Sequence, residues 1–386
     1  MKEALVNNEI LKWARLRCSY DLSLASEKIG VPKDKLEAWE NGIKKPTFNQ
    51  AINIANKYRI PFGYLFLKQP PNDNVAVPDL RTLNNASTPN LSADFKELIL
   101  DIEYKHNWYV NYLKEQNILK IPFVARFKNK HNFKTIAHDI VNVLKIDDNL
   151  RKESKTSDSY FSKIVIRMEE CGIWVIKTGI IKNNTHKSLS VEEFRGFAIC
   201  HEYAPLIFIN SKDANAAQIF TLIHEAAHIW IGESGITDLS IQALSNSFNK
   251  VEILCNKIAG EVLVPEESIK KNWNKNEEIS ANISKASSYY KVSKVVIAKR
   301  AYDLELINLD QYTQIYNIER QKWVKKTKTG SGNIWMNYKN SNGSSFSKTV
   351  VSQTLEGKIL YSEASKLLNV NSANIDKFAS FLGIKK

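Results

Sequence analysis

Apolar positions recur at helical spacing through most of the chain. Ile10, Leu11, Ala14 and Leu16 begin a first stripe. Leu22, Leu24, Ala25 and Ile29 form a second, with Asp21 placed to cap its helix. Gly30-Val31-Pro32 makes a tight turn, and Pro32 starts a third helix, Lys33–Glu40, that turns Leu36 and Trp39 inward. Asn41-Gly42 closes it with residues that tolerate left-handed backbone. Pro46 and Thr47 open a fourth helix carrying Ala51, Ile52, Ile54 and Ala55, and Pro61 sets off a short Phe62–Phe66 segment.

Loop chemistry fills 69–91, with Gln-Pro-Pro-Asn-Asp-Asn, Pro78, Asn84-Asn85 and Pro89-Asn90. A long helix is expected over 92–118, another over 133–145 and a third over 161–171. Ile173-Trp174-Val175-Ile176 reads as a buried strand, 203–210 as a second and 194–198 as a third. Pro205 predicts an edge position for the second. Asp213 and Asn215 are placed to cap a helix that runs through Ile219, Phe220, Ile223, Ala227 and Ile231 and stops at Gly232. Two helices joined by Lys291-Val292-Ser293 follow within 279–307. The polar stretches 330–332 and 340–345 flank 333–339, which predicts a small hairpin, and 346–382 reads as helices. The fold class is therefore α+β and mostly helical, with a small sheet. The predicted parts are 1–70, a linker over 71–91, a central domain over 92–320 and a C-terminal extension over 321–386.

Helix, Gly-containing turn and helix at the spacing of residues 22–40 is a helix-turn-helix signature. The stretch LSLASEKIGVPKDKLEAWENGIKKPT, closing on Trp39-Glu40-Asn41-Gly42, resembles the XRE/Cro-repressor type over about the first 66 residues. That resemblance puts Lys33, Asp34, Lys35, Glu37 and Ala38 on the groove-facing side of the recognition helix, with Lys33 and Lys35 as candidate DNA contacts. Asp34, Glu37 and Glu40 would face a phosphate-rich surface, and glutamate accepts only from cytosine among base donors. A protein-binding or self-association module of the same fold is the competing reading.

Charge is concentrated at the two ends. The net charge is +13; residues 1–70 hold 12 Lys+Arg against 7 Asp+Glu, and residues 321–386 hold 11 against 3. The middle carries equal numbers of each sign. A neutral centre with basic ends suits end modules that meet an acidic partner, and equally suits a solvated lysine-rich surface. Cysteines 18, 171, 200 and 255 form no Cys-x-x-Cys pair, which argues against a thiolate metal site and fits reduced thiols. No apolar run approaches the ~20 residues of a membrane helix. Lys2 and Glu3, followed by Ala4-Leu5-Val6 and two asparagines, do not read as a secretory leader, so a cytoplasmic location and no membrane partner are expected.

The chemistry lies in His224-Glu225-Ala226-Ala227-His228. Two histidines four apart on a helix share one face and can chelate a single Zn²⁺ at about 2.0–2.1 Å. Glu225, one residue on, can reach a water beside the metal instead of the metal itself. A catalytic zinc needs a third protein ligand and an open position. The three-histidine form is ruled out because Ile231 and Ser234 stand where its glycine and last histidine belong. The third ligand is then a downstream carboxylate. Glu252 leads, on a helix-like segment over 252–259 whose Asn256, one turn on, can orient a neighbouring ligand; Glu261 and Asp238 are its rivals. Tyr290 and Arg300, with Tyr289, His201 and Arg195, are candidate donors to a developing oxyanion. A substrate strand could add beside 203–210.

The stretches FRGFAICHEYAPLIFINSKDANAAQIFTLIHEAAHIWIGESGITD and VEILCNKIAGEVLVP resemble the ImmA/IrrE family of zinc metallopeptidases. The resemblance runs from about 95 to 310 and more weakly onward. It implies a zincin-like domain with His224, His228 and Glu252 as zinc ligands and Glu225 as general base. It also implies cleavage of a protein regulator, such as a DNA-binding repressor or antitoxin-like partner. The competing function is a transcriptional regulator or toxin–antitoxin component whose peptidase-like part senses metal or a partner. An intact acid between the histidines favours the enzyme.

Overall fold

The computed structural model describes residues 3–18, 20–58, 60–70, 92–128, 132–233, 235–237, 250–323 and 333–384. The expected linker over 71–91 and the rival ligand Asp238 lie outside them. The chain divides into two compact units, Met1–Val77 with Asn84–Ile102, and Pro78–Leu83 with Glu103–Lys386. The architecture is α+β and mostly helical. No helix among the described residues is long and apolar enough to cross a membrane.

The first unit contains α1 (Asn8–Arg17), α2 (Leu22–Ile29), α3 (Lys33–Glu40), α4 (Phe48–Lys57) and a 3₁₀ turn at Phe62–Phe66. Asp21 accepts from the backbone of Leu24 at 2.7 Å and caps α2. Gly30 ends that helix in the left-handed region, and Thr47 with Gln50 forms a capping box on α4. Ile10, Leu11, Ala25, Leu36, Trp39, Ala51 and Ile54 make the core. One sequence reading is corrected here: Glu40 does not face outward. It is buried, and its carboxylate accepts two hydrogen bonds from the Arg15 guanidinium at 2.7 and 2.9 Å. A buried acid needs such a partner, so the outward acids of α3 are Asp34 and Glu37.

Helix α5 (Ala93–Glu115) carries the chain from one unit into the other. The second unit continues with α6 (Phe133–Leu144), α7 (Asp148–Lys152) and α8 (Ser157–Glu170). Strands β1 (Trp174–Thr178), β2 (Ile180–Ile181), β3 (Asn184–Ser188), β4 (Gly196–Ile199) and β5 (Leu206–Asn210) precede α9 (Asn215–Ile231). Then come β6 (Gly235–Thr237), α10 (Lys250–Leu263), α11 (Glu266–Asn272), α12 (Ile279–Tyr290), α13 (Lys294–Asp303) and α14 (Leu309–Trp323). Helices α15 (Ile334–Asn342), α16 (Ser344–Leu355), α17 (Tyr361–Leu368) and α18 (Ile375–Phe381) complete it.

The main sheet has the order β1-β5-β4-β6. Strand β5 runs parallel to β1, with Trp174 opposite Leu206, and antiparallel to β4, with Phe197 opposite Phe208. The predicted edge position of 203–210 is thus overturned: β5 is interior. Pro205 sits just before the strand, where its missing N–H costs nothing and its carbonyl accepts from Trp174 N–H at 2.8 Å. Two other local expectations also change. Residues 333–339 are not a hairpin but the start of α15; Asn333 caps it, its side chain accepting from Trp335 and Met336. The N-cap of α9 is Ala214, while Asp213 turns aside to pair with Arg195 at 3.0 Å.

Helices α15 and α16 lie on β1. Trp174 Nε1 donates to the Asn342 carbonyl at 2.6 Å, and the Ser344 amide donates to Glu169 at 2.6 Å. Gly343 between them has φ 75°, and a Cβ there would sit 2.5 Å from Trp174 Cδ1. Only glycine admits both that backbone and that approach.

Candidate metal centre

Helix α9 is apolar nearly all round, which is the pattern of a helix enclosed on every side. Ile219, Leu222, Ile223, Ala226, Ala227, Ile229 and Trp230 are fully buried against the sheet and neighbouring helices. It ends at Gly232 in the left-handed region. A Cβ at Gly232 would come within 2.5 Å of Ala125 Cβ, and Ala125 N–H donates to the Ile229 carbonyl at 2.9 Å. The 121–128 segment thereby satisfies carbonyls at the helix end that have no intrahelical donor. This packing fixes the rotation of α9, and with it the direction of its two histidines.

His224 and His228 sit one turn apart, both buried, with their Nε2 atoms 3.1 Å apart. Helix α10 packs along α9 and brings Glu252 against both: Oε2 lies 3.2 Å from His224 Nε2, and Oε1 lies 3.2 Å from His228 Nε2. One turn further along α10, Asn256 Oδ1 lies 3.1 Å from His224 Nδ1. Asn256 therefore fixes which His224 nitrogen faces inward: Nδ1–H donates outward and leaves Nε2 with its lone pair toward Glu252. Behind His228, Cys200 Sγ donates to the His228 carbonyl at 3.3 Å.

These donors suit a metal ion. The ligand atoms of His224, His228 and Glu252 all lie within 4.8 Å of one another. The two Nε2 atoms are 3.1 Å apart, and each has its own Glu252 oxygen at 3.2 Å. Donors about 2.0–2.1 Å from a tetrahedral ion stand roughly 3.3 Å apart. Two nitrogens and a carboxylate supply the donor set of catalytic zinc. Burial opposes ionisation of Glu252, but the two histidine rings facing it outweigh burial and hold the carboxyl well below its ordinary range. Burial pushes His224 down, which keeps its imidazole neutral and able to ligate.

Glu225 is fully buried and lies on the sheet side of α9. Gly196, the first residue of β4, makes room for it: a Cβ there would lie 3.2 Å from Glu225 Oε1 and 2.7 Å from Thr221 Cγ2. A glycine inside the strand-like Phe194–Ala198 stretch is the sequence signal for such a close approach.

Other candidates sit away from the triad's contacts. Tyr290 OH pairs with Ser268 Oγ at 2.7 Å, under the Arg151 guanidinium. Arg300 pairs with Glu261 and donates to the Val264 carbonyl at 3.0 Å, which also accounts for Glu261, the rival ligand. His201 Nδ1 accepts from the Tyr203 amide in a turn, Arg195 holds Asp213, and Tyr289 packs edge-on to Tyr290. In the first unit, Lys33 and Lys35 are exposed on α3, with Lys35 Nζ 5.4 Å from the Trp39 ring centre.

Residues 168–302 match the family model of the IrrE N-terminal-like domain, peptidase family M78. The match spans β1 to α13, including His224, Glu225, His228 and Glu252. Residues 342–381 match the model of a domain of unknown function, DUF8813. No curated protein and no solved structure matches the chain.

Proposed function

We propose that the protein is a zinc-dependent endopeptidase that cleaves a protein regulator in the cytoplasm. The observation that carries this reading is the convergence of His224, His228 and Glu252 on one point, with Glu225 next to the first ligand. Match to a peptidase family model over that region supports it.

In this reading His224, His228 and Glu252 hold the ion, and Asn256 orients His224. Zinc so held would polarise a peptide carbonyl and lower the pKa of a water toward about 7. Glu225 takes the proton of the attacking water on its carboxylate and delivers it to the leaving amine. The substrate segment adds in extended form along β6, which pairs only with β4 among the described residues. Thr237 of β6 is paired with Gly196, the residue against Glu225, so β6 is the strand next to the one that adjoins the base. This replaces addition beside β5, whose two edges are both taken.

A metal-sensing regulator would need the two histidines and Glu252 but not Glu225. The test is incubation of the zinc-loaded chain with the proteins encoded beside its gene and with a whole-proteome peptide library. Discrete fragments that disappear with chelator and return with zinc are expected. Intact substrates throughout, or fragments indifferent to chelator, would overturn the reading.

A further inference from the structure

Three segments of this chain repeat one pattern. Each has a residue in the left-handed region: Gly30 at φ 76°, Lys291 at φ 61° and Asn369 at φ 51°. Each is preceded at five residues by alanine (Ala25, Ala286, Ala364) and followed at once by valine (Val31, Val292, Val370). Six residues on stand Leu36, Ile297 and Ile375, all fully buried. Nine residues on stand Trp39, Arg300 and Phe378, also buried. The helix pairs α2–α3, α12–α13 and α17–α18 are thus three helix-turn-helix units built on the same turn.

Their outer faces differ. In the middle copy α13 is covered by α14, and its Arg300 is engaged by Glu261 and Val264, so that copy is part of the core. In the first copy α3 exposes Lys33 and Lys35 beside Asp34 and Glu37. In the third, α18 packs on α16 and α17 and against the Trp335 and Tyr338 rings. A 3₁₀ turn ahead of α18, Ser372–Asn374, carries exposed Ser372 and half-buried Asn374, and α18 itself exposes Lys377 and Ser380. The one acid of α18, Asp376, accepts from Tyr361 OH at 2.8 Å. Asn342 Nδ2 donates to the Leu368 carbonyl at 2.8 Å and so ties the end of α17 to the residue whose own carbonyl holds Trp174.

We propose that α17–turn–α18 is a reader of double-stranded DNA, separate from the N-terminal module, with α18 as the helix that enters the major groove. Asn374 suits the adenine edge, Lys377 the guanine edge, and Ser372 either. Lys366, exposed on α17, suits a phosphate, because the first helix of such a unit crosses the backbone. The excess of 11 Lys+Arg over 3 Asp+Glu in residues 321–386 supplies the field that draws a polyanion. The uncharged Ser and Asn beside one lysine are the groups that read base edges, and that combination is what α3 lacks.

The test uses the full-length chain and a pool of duplexes of about 30 base pairs with randomised centres. Sequences enriched by the wild type are then measured with two variants, Asn374→Ala/Lys377→Glu and Lys33→Glu/Lys35→Glu. The first should weaken binding at least ~10-fold with unchanged thermal unfolding, and relax the sequence preference at the positions those side chains read. The second should leave binding to the enriched sequences in place. No binding to any duplex, undiminished binding by the α18 variant, or loss only in the α3 variant would overturn the proposal. Capture of a protein with no duplex bound would point to protein recognition instead and overturn it equally.

Discussion

Gly196 and Glu225 fit together across the sheet–helix interface: a Cβ on the glycine would lie 3.2 Å from the carboxylate Oε1 and 2.9 Å from the Phe208 carbonyl. The Glu225 carboxylate is therefore accommodated by an absent side chain in the neighbouring strand.

Gly196→Ala should consequently hurt activity more than folding. The Phe208 carbonyl is held by the sheet, so the methyl group displaces Thr221 and Glu225. Expected are a stability loss of about 1–3 kcal/mol and a fall in kcat well beyond it, with zinc content unchanged. Thermal unfolding, metal analysis and cleavage rates measured side by side check this.

Asn256 acts through His224. Asn256→Ala leaves His224 Nδ1 without the oxygen now 3.1 Å away, and zinc affinity should drop roughly 10–100-fold. Asn256→Asp retains the acceptor and should keep most of it. Competition with a chromophoric chelator measures both.

His106 makes the second unit sensitive to acid. Its ring is buried, stacked on Trp174, and donates to the Ala204 carbonyl at 2.8 Å. Burial pushes its pKa down to about 4, below the value near 6.5 of an unfolded chain. The unfolded state then binds more protons between those values, so this stabilisation is complete above pH 6.5 and is lost as pH falls toward 4. The loss amounts to at most about 3 kcal/mol. Urea unfolding at pH 7 and pH 5 should show a smaller difference for His106→Gln than for the wild type.

Gly343→Ala should loosen the C-terminal helices from the sheet. A methyl at φ 75°, 2.5 Å from Trp174 Cδ1 and 2.9 Å from the Val175 carbonyl, has nowhere to go. A cost above about 2 kcal/mol is expected, visible as a lower midpoint of thermal unfolding and faster proteolysis within 333–384.

Much of this was legible in the residues because it is local. The helices of the first unit follow from capping residues, Asp21 and Thr47, and from Gly30, all of which act within one turn. His224 and His228 announce themselves by a four-residue spacing. Glu252 led its rivals Glu261 and Asp238 because Asn256 follows it by one turn, and the packing of α10 on α9, with Glu261 paired to Arg300, separates 252 from 261. Strand order was not legible: Pro205 forbids an interior strand only if its own N–H is needed, and it precedes the first ladder residue. Nor was the inward turn of Glu40 toward Arg15, a pairing across 25 positions that no periodicity encodes.

The most direct measurement compares the wild type with Glu225→Gln for zinc content and for cleavage of one identified substrate. Expected is one zinc per chain in both proteins, with cleavage abolished in Glu225→Gln. Cleavage at an undiminished rate by Glu225→Gln, or a wild-type chain that binds no zinc, would contradict a peptidase built on His224, Glu225, His228 and Glu252.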